Sequence, residues 1–163
     1  RRLLCLPGTH NKWVLVEDGR IVRFVTAMSG ELFDVLTHHG VLKAAEDSVD
    51  DPAALAEGIA RGAEPGPLAA KLFTARSRVV GGDMARASAR SYLSGLLIGD
   101  EVAGLPAMLG ADPGMEIGLL GDPELCRYYA AAFAQRGAAC AAHDGDAAVL
   151  AGLKALHDSG VRA

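Results

Sequence analysis

Short apolar runs open this chain, separated by residues that favour turns. Residues 3–6 read as a strand, 7–11 as a turn and 12–18 as a second strand. Asp18-Gly19 is a two-residue hairpin signal, because both residue types tolerate positive φ, and 21–27 reads as a third strand. The pattern then changes to a helical period. Ser29 is placed to cap a helix, Glu31 suits its first turn, and Leu32, Val35, Leu36 and His39 fall on one face before a stop at Gly40. Residues 41–51 are polar and acidic and read as a loop. Pro52, at a first helical position after Asp50-Asp51, starts a second helix that ends near Gly62. A short helix over 68–75 follows the Pro65-Gly66-Pro67 break, and Gly81-Gly82 interrupts again. From Asp83 to about Leu105 the pattern predicts the longest helix. Its stretch 92–99 is almost all apolar or small, so burial on most sides is expected, and Gly95 and Gly99 would admit another backbone.

The last third alternates. Residues 115–120 read as a strand, and a helix follows with Asp122 as cap and Pro123 at its first position. Leu125, Tyr128, Tyr129, Ala132 and Phe133 form its apolar stripe, and Gly137 ends it. A short strand over 138–142 leads to a final helix from Gly145-Asp146, with Val149, Leu150, Leu153 and Leu156 expected to face the core. Three antiparallel strands followed by alternating helix and strand is the ribonuclease-H-like (actin-like ATPase) layout. The expected fold class is therefore α/β, with a mixed sheet, helices on both faces and a helical insertion at about 41–110.

Composition narrows the function classes. With 163 residues, half of them hydrophobic, one domain with a packed core is expected. Aromatics are only 5% and glycines number 20, so that core must be built from Ala, Leu and Val with close backbone approaches. A net charge of -4 with scattered Lys and Arg argues against a nucleic-acid partner. Three separated cysteines, Cys5, Cys126 and Cys140, fit a reducing cytoplasmic setting. No apolar run reaches the roughly 18 residues of a membrane span. There is no signal-peptide pattern and no initiator Met, and the chain enters a strand almost at once, so it reads as part of something longer.

Three segments have the residue types for phosphate or nucleotide chemistry. Gly8-Thr9-His10, between two strands, can aim backbone N–H groups and a hydroxyl at a phosphate, with Lys12 adding charge; the alternative is an ordinary hairpin turn. Ser29-Gly30-Glu31 places a helix N-terminus where Gly30 would leave room for ribose or phosphate; the alternative is a plain cap with an acidic first turn. Residues 118–122 run from a strand through Gly118 and Gly121 to Asp122 at a helix N-terminus, a common nucleotide site or a simple connection that needs glycine. Neither a dinucleotide fingerprint nor a Walker A loop is present. His38-His39 point apart on a helix, and Asp144 and Asp146 are better read as caps, so no metal site is expected. Trp13 reads as core packing and Cys126 as an unactivated thiol.

At Pro7-Gly8-Thr9-His10-x-Lys12-Trp13-Val14 the sequence resembles the 2-dehydro-3-deoxygalactonokinases (2-keto-3-deoxygalactonate kinases). The resemblance continues through Met28-Ser29-Gly30-Glu31-Leu32, Leu93-Ser94-Gly95-Leu96-Leu97-Ile98-Gly99 with Glu101-Val102, and Gly145-Asp146, in the family's order. It implies a member of the sugar-kinase, hexokinase and actin superfamily, with two ribonuclease-H-like domains and ATP between them. Gly8-Thr9-His10 would be the second phosphate loop, 118–122 the adenosine segment, and the helix from Gly145 a connecting helix. The implied reaction transfers the γ-phosphate of ATP, with Mg²⁺, to the 6-hydroxyl of 2-dehydro-3-deoxy-D-galactonate in galactonate breakdown. The first phosphate loop and the carboxylate base of such kinases would lie upstream of residue 1, so the chain corresponds to the C-terminal domain and no catalytic base is named. Glu31 is explained more simply by its place in the helix. A second hypothesis is a non-catalytic nucleotide- or sugar-sensing regulatory module of the same fold. A third is an assembly role, with the small-residue helix at 92–103 as a homo-oligomer interface.

Overall fold

Asp18 and Gly19 take φ values of 50° and 74°, the mirror-image turn that suits the twist of two antiparallel strands. This turn joins β2 (Asn11–Glu17) to β3 (Arg20–Ala27), and β2 also pairs antiparallel with β1 (Arg2–Leu6). In the computed structural model, which describes residues 1–112 and 114–160, two later strands extend the sheet in parallel register, β4 on β1 and β5 on β4. Strand β4 spans Glu116–Gly121, and β5, at the edge, spans Cys140–Asp144. The five-stranded mixed sheet has the order β3-β2-β1-β4-β5.

Six α-helices are described around it: α1 (Ser29–His38), α2 (Pro52–Ala63), α3 (Leu68–Gly81), α4 (Ala89–Leu109), α5 (Pro123–Gln135) and α6 (Gly145–Asp158). Alternation along β1 and β2 buries Leu3, Cys5, Trp13 and Leu15. Leu3, Cys5 and Trp13 join Ile98 and Val102 of α4 and Tyr129, Ala132 and Phe133 of α5 in the main core. The Trp13 ring sits at tilted angles to Tyr129 and Phe133, with centroids 6.3 and 6.0 Å away. A second cluster, with Leu72, Tyr92, Leu93 and Leu97, fills the space among the helices.

Four glycines bring α2 and α4 together. A Cβ on Gly58 or Gly62 of α2 would overlap the Tyr92 or Leu96 carbonyl of α4, and one on Gly95 or Gly99 of α4 would overlap the Leu55 or Ile59 carbonyl of α2. Backbone-to-backbone contact of this kind holds α2 and α4 more closely than any other described helix pair. The small-residue face of 92–103 is therefore covered from within the chain, which removes the expected reason for an oligomer interface there.

Other expectations also change. The third helix runs to Gly81 rather than stopping near Ala75 and ends in a left-handed Gly82. The longest helix starts at Ala89, after a short 3-10 turn over Arg86–Ser88. In α1 the buried residue is Thr37; Val35 is exposed, and His39 lies beyond the helix as its cap. The largest difference is α6, where Val149, Leu150, Leu153 and Leu156 are all more than half exposed. Helical periodicity reports that one face is apolar, not that a neighbour within the chain covers it.

Candidate functional site

Residues 7–10 connect β1 to β2, and the restraints on this turn come from several directions. The Gly8 N–H donates to Asn11 Oδ1 at 2.7 Å. The Thr9 carbonyl accepts the Glu31 N–H at 2.9 Å, tying the turn to the first turn of α1. Lys12 Nζ donates to the His10 carbonyl at 2.9 Å, and His10 Nε2 meets Glu31 Oε2 at 2.6 Å. Gly30 permits the approach, because a Cβ there would overlap the Gly8 carbonyl.

Beside this turn lies an open cavity of about 400 Å³. Gly8 and Asn11 line it from the turn, Ser29 and Gly30 from α1, Arg90 and Ser94 from α4, and Asp122 and Tyr128 from the start of α5. Two helix N-termini thus open onto one cavity, but they differ. At α5, Asp122 Oδ1 accepts the N–H groups of Glu124 and Leu125 at 2.9 and 3.0 Å. At α1 the cap position is Met28, with no side-chain cap hydrogen bond. Ser29 is not the cap expected from the sequence; it is the first helical residue.

Gly8 itself is unusual among the glycines of this region. A Cβ added there meets nothing within 4 Å, and its backbone is not in the left-handed region. The protein's own atoms therefore do not demand glycine at this position, which lines the cavity.

Under the turn lies a buried polar cluster. Glu101 of α4, 5% exposed, accepts the Asn11 Nδ2 donor at 2.8 Å and the Trp13 Nε1 donor at 3.0 Å, together with the Tyr129 hydroxyl. Asn11 Nδ2 also reaches the Tyr129 oxygen at 2.5 Å. Burial raises the Glu101 carboxyl above its ordinary value, against the lowering effect of its donors Tyr129, Trp13 and Asn11. Burial first, and then the Glu101 charge, push the Tyr129 hydroxyl well up as well. Across the cavity, the Tyr128 hydroxyl donates to Glu124 at 2.8 Å and lies 3.3 Å from Asp50; burial and the Glu124 bond push it up to about 12.

The sequence profile of the 2-keto-3-deoxy-galactonokinases matches residues 1–156. The chain belongs to this family. It is 40% identical over 158 residues to the probable 2-dehydro-3-deoxygalactonokinase DgoK1 of Rhizobium meliloti, covering 94% of this chain and 51% of that protein. It is 34% identical to the 2-dehydro-3-deoxygalactonokinase of Escherichia coli, covering 94% and 52%. The crystal structure of a putative 2-dehydro-3-deoxygalactonokinase protein from Sinorhizobium meliloti superimposes with a TM-score of 0.83 at 40% identity, over 94% of this chain and 52% of that one. The chain spans about half the length of the curated relatives it matches.

The geometry sorts the residues singled out from the sequence. Gly8, Ser29, Gly30 and Asp122 share the cavity. Thr9 and His10 occupy the exposed tip of the turn, and Glu31 braces it. Lys12 points to the His10 carbonyl, so it stiffens the turn instead of adding a charge to the cavity. The Gly8 N–H is occupied by Asn11, which leaves the Thr9 and His10 amides and the Thr9 hydroxyl as the turn's donors. Gly118 is buried in the sheet, where a Cβ would meet Leu4 and His143. Gly121 lies at the end of β4 beside Pro7, and Gly145 packs on Gly121. Asp144 caps α6 through the Ala147 N–H, as expected. Among the described residues, no group of three or more His, Cys, Asp or Glu could hold a metal ion. No described helix is long and apolar enough to cross a membrane.

Sequence reasoning missed Asn11, Glu101, Tyr129 and Arg90 as site residues. Glu101 carried a signal: a carboxylate inside an almost wholly apolar helical stretch.

Proposed function

We propose that this chain is the C-terminal, nucleotide-binding domain of a two-domain sugar-acid kinase, with a ribonuclease-H-like fold and a helical insertion at about 41–110. In this reading the complete enzyme transfers the γ-phosphoryl group of ATP to the 6-hydroxyl of 2-dehydro-3-deoxy-D-galactonate. The observation that carries the reading is the meeting of three features at one cavity: the braced turn 7–10, the α1 N-terminus without a side-chain cap, and the open side of Gly8. Family membership and the names of the relatives support the substrate.

Phosphoryl transfer is governed by positioning and charge stabilisation more than by covalent chemistry of the protein. The bond between the bridging oxygen and the γ-phosphorus breaks, and a bond from the sugar hydroxyl oxygen forms. This chain's part is to hold the phosphates with the Thr9 and His10 N–H groups, the Thr9 hydroxyl and the first amides of α1. The restraints on the turn fix those donors before ligand arrives, so little reorganisation is needed. Gly8 lets the phosphates approach the backbone, and Asp122 lines the same cavity on the side of the proposed adenosine segment, whose Gly118 and Gly121 serve the packing of β4. The base that accepts the hydroxyl proton is expected in the other domain.

The cavity's charged lining is Asp50, Asp122 and Glu124 against Arg90. A polyphosphate meets net repulsion there unless a cation accompanies it. Asp122 and Glu124 would be the residues to hold a Mg²⁺ ion that accompanies the phosphates. When bound, Mg²⁺ neutralises charge developing on the phosphate oxygens. Free Cys5, Cys126 and Cys140 support a reducing, cytoplasmic setting.

Replacing Gly8 by alanine tests the reading. Because the new Cβ meets no protein atom, thermal stability should hold or rise slightly. ATP affinity, measured by titration calorimetry, should fall at least tenfold. Unchanged affinity with unchanged stability would remove the turn from the nucleotide site. Thr9→Val in the complete enzyme should raise the ATP KM or lower kcat.

A further inference from the structure

Asn11 is 1% exposed, and its side-chain amide makes three hydrogen bonds that together fix its orientation. Its Nδ2 donates to Glu101 Oε2 and to the Tyr129 oxygen, and its Oδ1 accepts the Gly8 N–H at 2.7 Å. A flipped amide would turn an NH₂ toward the Gly8 N–H and an oxygen toward the carboxylate, so both contacts become repulsive. Glu101 therefore decides which way Asn11 points, and Asn11 decides where Gly8 sits. Glu101 belongs to α4 and Tyr129 to α5, so the anchor beneath the turn is assembled from the helical layer rather than from the turn's own strands.

We propose that Glu101 is a positioning residue for the Gly8-Thr9-His10 turn, acting through Asn11 to set the direction of the turn's phosphate-binding amides. The phosphate-binding part rests on the proposed nucleotide site; the control of the turn by Glu101 does not. All of Glu101's partners here are donors, which suits a carboxylate and fits a carboxamide poorly. In Glu101→Gln the new NH₂ must face one side or the other. It cannot face Trp13, because the indole N–H only donates. It is left facing Asn11 and Tyr129, where the phenol can rotate to accept and Asn11 is free to flip. The Asn11–Gly8 bond is then lost, and the turn loses its inner anchor.

A second substitution should then rescue the turn, which a merely structural role would not allow. Adding Trp13→Phe to Glu101→Gln removes the indole N–H. The new carboxamide can then turn its NH₂ to that side and its carbonyl back to Asn11. The variants E101Q, W13F and E101Q/W13F are made in the full chain. Three quantities are read: amide exchange of Gly8, ATP affinity and melting temperature. E101Q should speed Gly8 amide exchange and weaken ATP binding about tenfold, the loss of one well-formed polar contact. W13F alone should lower the melting temperature while leaving Gly8 exchange near wild type. The double variant should recover Gly8 protection and most of the affinity, despite its lower stability. Wild-type Gly8 exchange in a folded E101Q overturns the proposal, as does a double variant that is additive in every reading. If E101Q does not fold, Asn11→Ala takes its place, and unchanged Gly8 exchange in that variant is the overturning result. If the wild-type chain binds no ATP, the nucleotide reading fails, and the exchange data still decide the role of Glu101.

Discussion

The N-termini of α1 and α5 open onto the same cavity, yet they are built in opposite ways. At α5 the chain supplies its own anion: Asp122 accepts two of the first amides, and Pro123 follows at the first helical position. At α1 there is no side-chain cap, and a carbonyl of the facing turn takes the Glu31 N–H. A helix start that satisfies itself is a stability device, whereas one left without a cap beside a braced turn can receive an external anion. Under the proposed nucleotide reading, the contrast gives the backbone donors to α1 and the acidic side chains to α5, although both sequences contain acidic and small residues in the right places for either role.

The largest effect expected from breaking this contrast is at Gly30. Gly30→Ala drives a Cβ into the Gly8 carbonyl, so α1 and the turn must separate. A loss of about 2–3 kcal/mol in denaturant unfolding is expected, with ATP binding abolished. Stability near wild type would show that the two segments can part without cost.

The pH dependence of Glu101 comes next. Its folded carboxyl lies above the ordinary value of 4.5, so the native state holds the proton more tightly than the unfolded chain. The stability this contributes is complete below about pH 4.5 and is lost as pH rises through the raised value. The melting temperature of wild type relative to E101Q should therefore fall as pH is raised from about 4 to about 7, following a single titrating group. A rise instead would show that the donors around Glu101 outweigh burial.

Asp122→Ala removes the α5 cap and should cost about 1 kcal/mol, with Asp122→Asn recovering most of it. If instead the alanine variant keeps full stability, the self-satisfied start of α5 has no energetic content. The smallest effect belongs to the His10–Glu31 pair, whose side chains are about half exposed at 52% and 46%. Glu31→Gln should cost under about 0.5 kcal/mol, and that difference should vanish at high salt.

Much of the sheet was legible in the sequence because its signals are local. Short apolar runs marked the first three strands, Asp18-Gly19 marked the hairpin of the second and third, and Asp122-Pro123 marked the start of α5. The α2–α4 contact was half legible. Gly95 and Gly99 announced a close approach, but Gly58 and Gly62 lie in a helix whose partner no local pattern names. The α6 face was misjudged, because amphipathicity is intrinsic to a helix while burial depends on what lies opposite.

For the candidate site, the turn and the two helix starts could be read from residue type, and their division of labour could not. Ser29 looks like a cap by sequence, and only the folded backbone shows that Met28 holds the cap position and Ser29 the first helical one. Asn11 and Glu101 stand 90 positions apart and Asn11 and Tyr129 stand 118 apart, so no spacing rule connects them. The sequence by itself determined the strands, the hairpin, the capped helices and the presence of a Gly-Thr turn, all set by interactions spanning a few residues. The tertiary structure alone decided which amides remain open to an anion and which carboxylate orients the turn, because those depend on groups brought together only when sheet and helices pack.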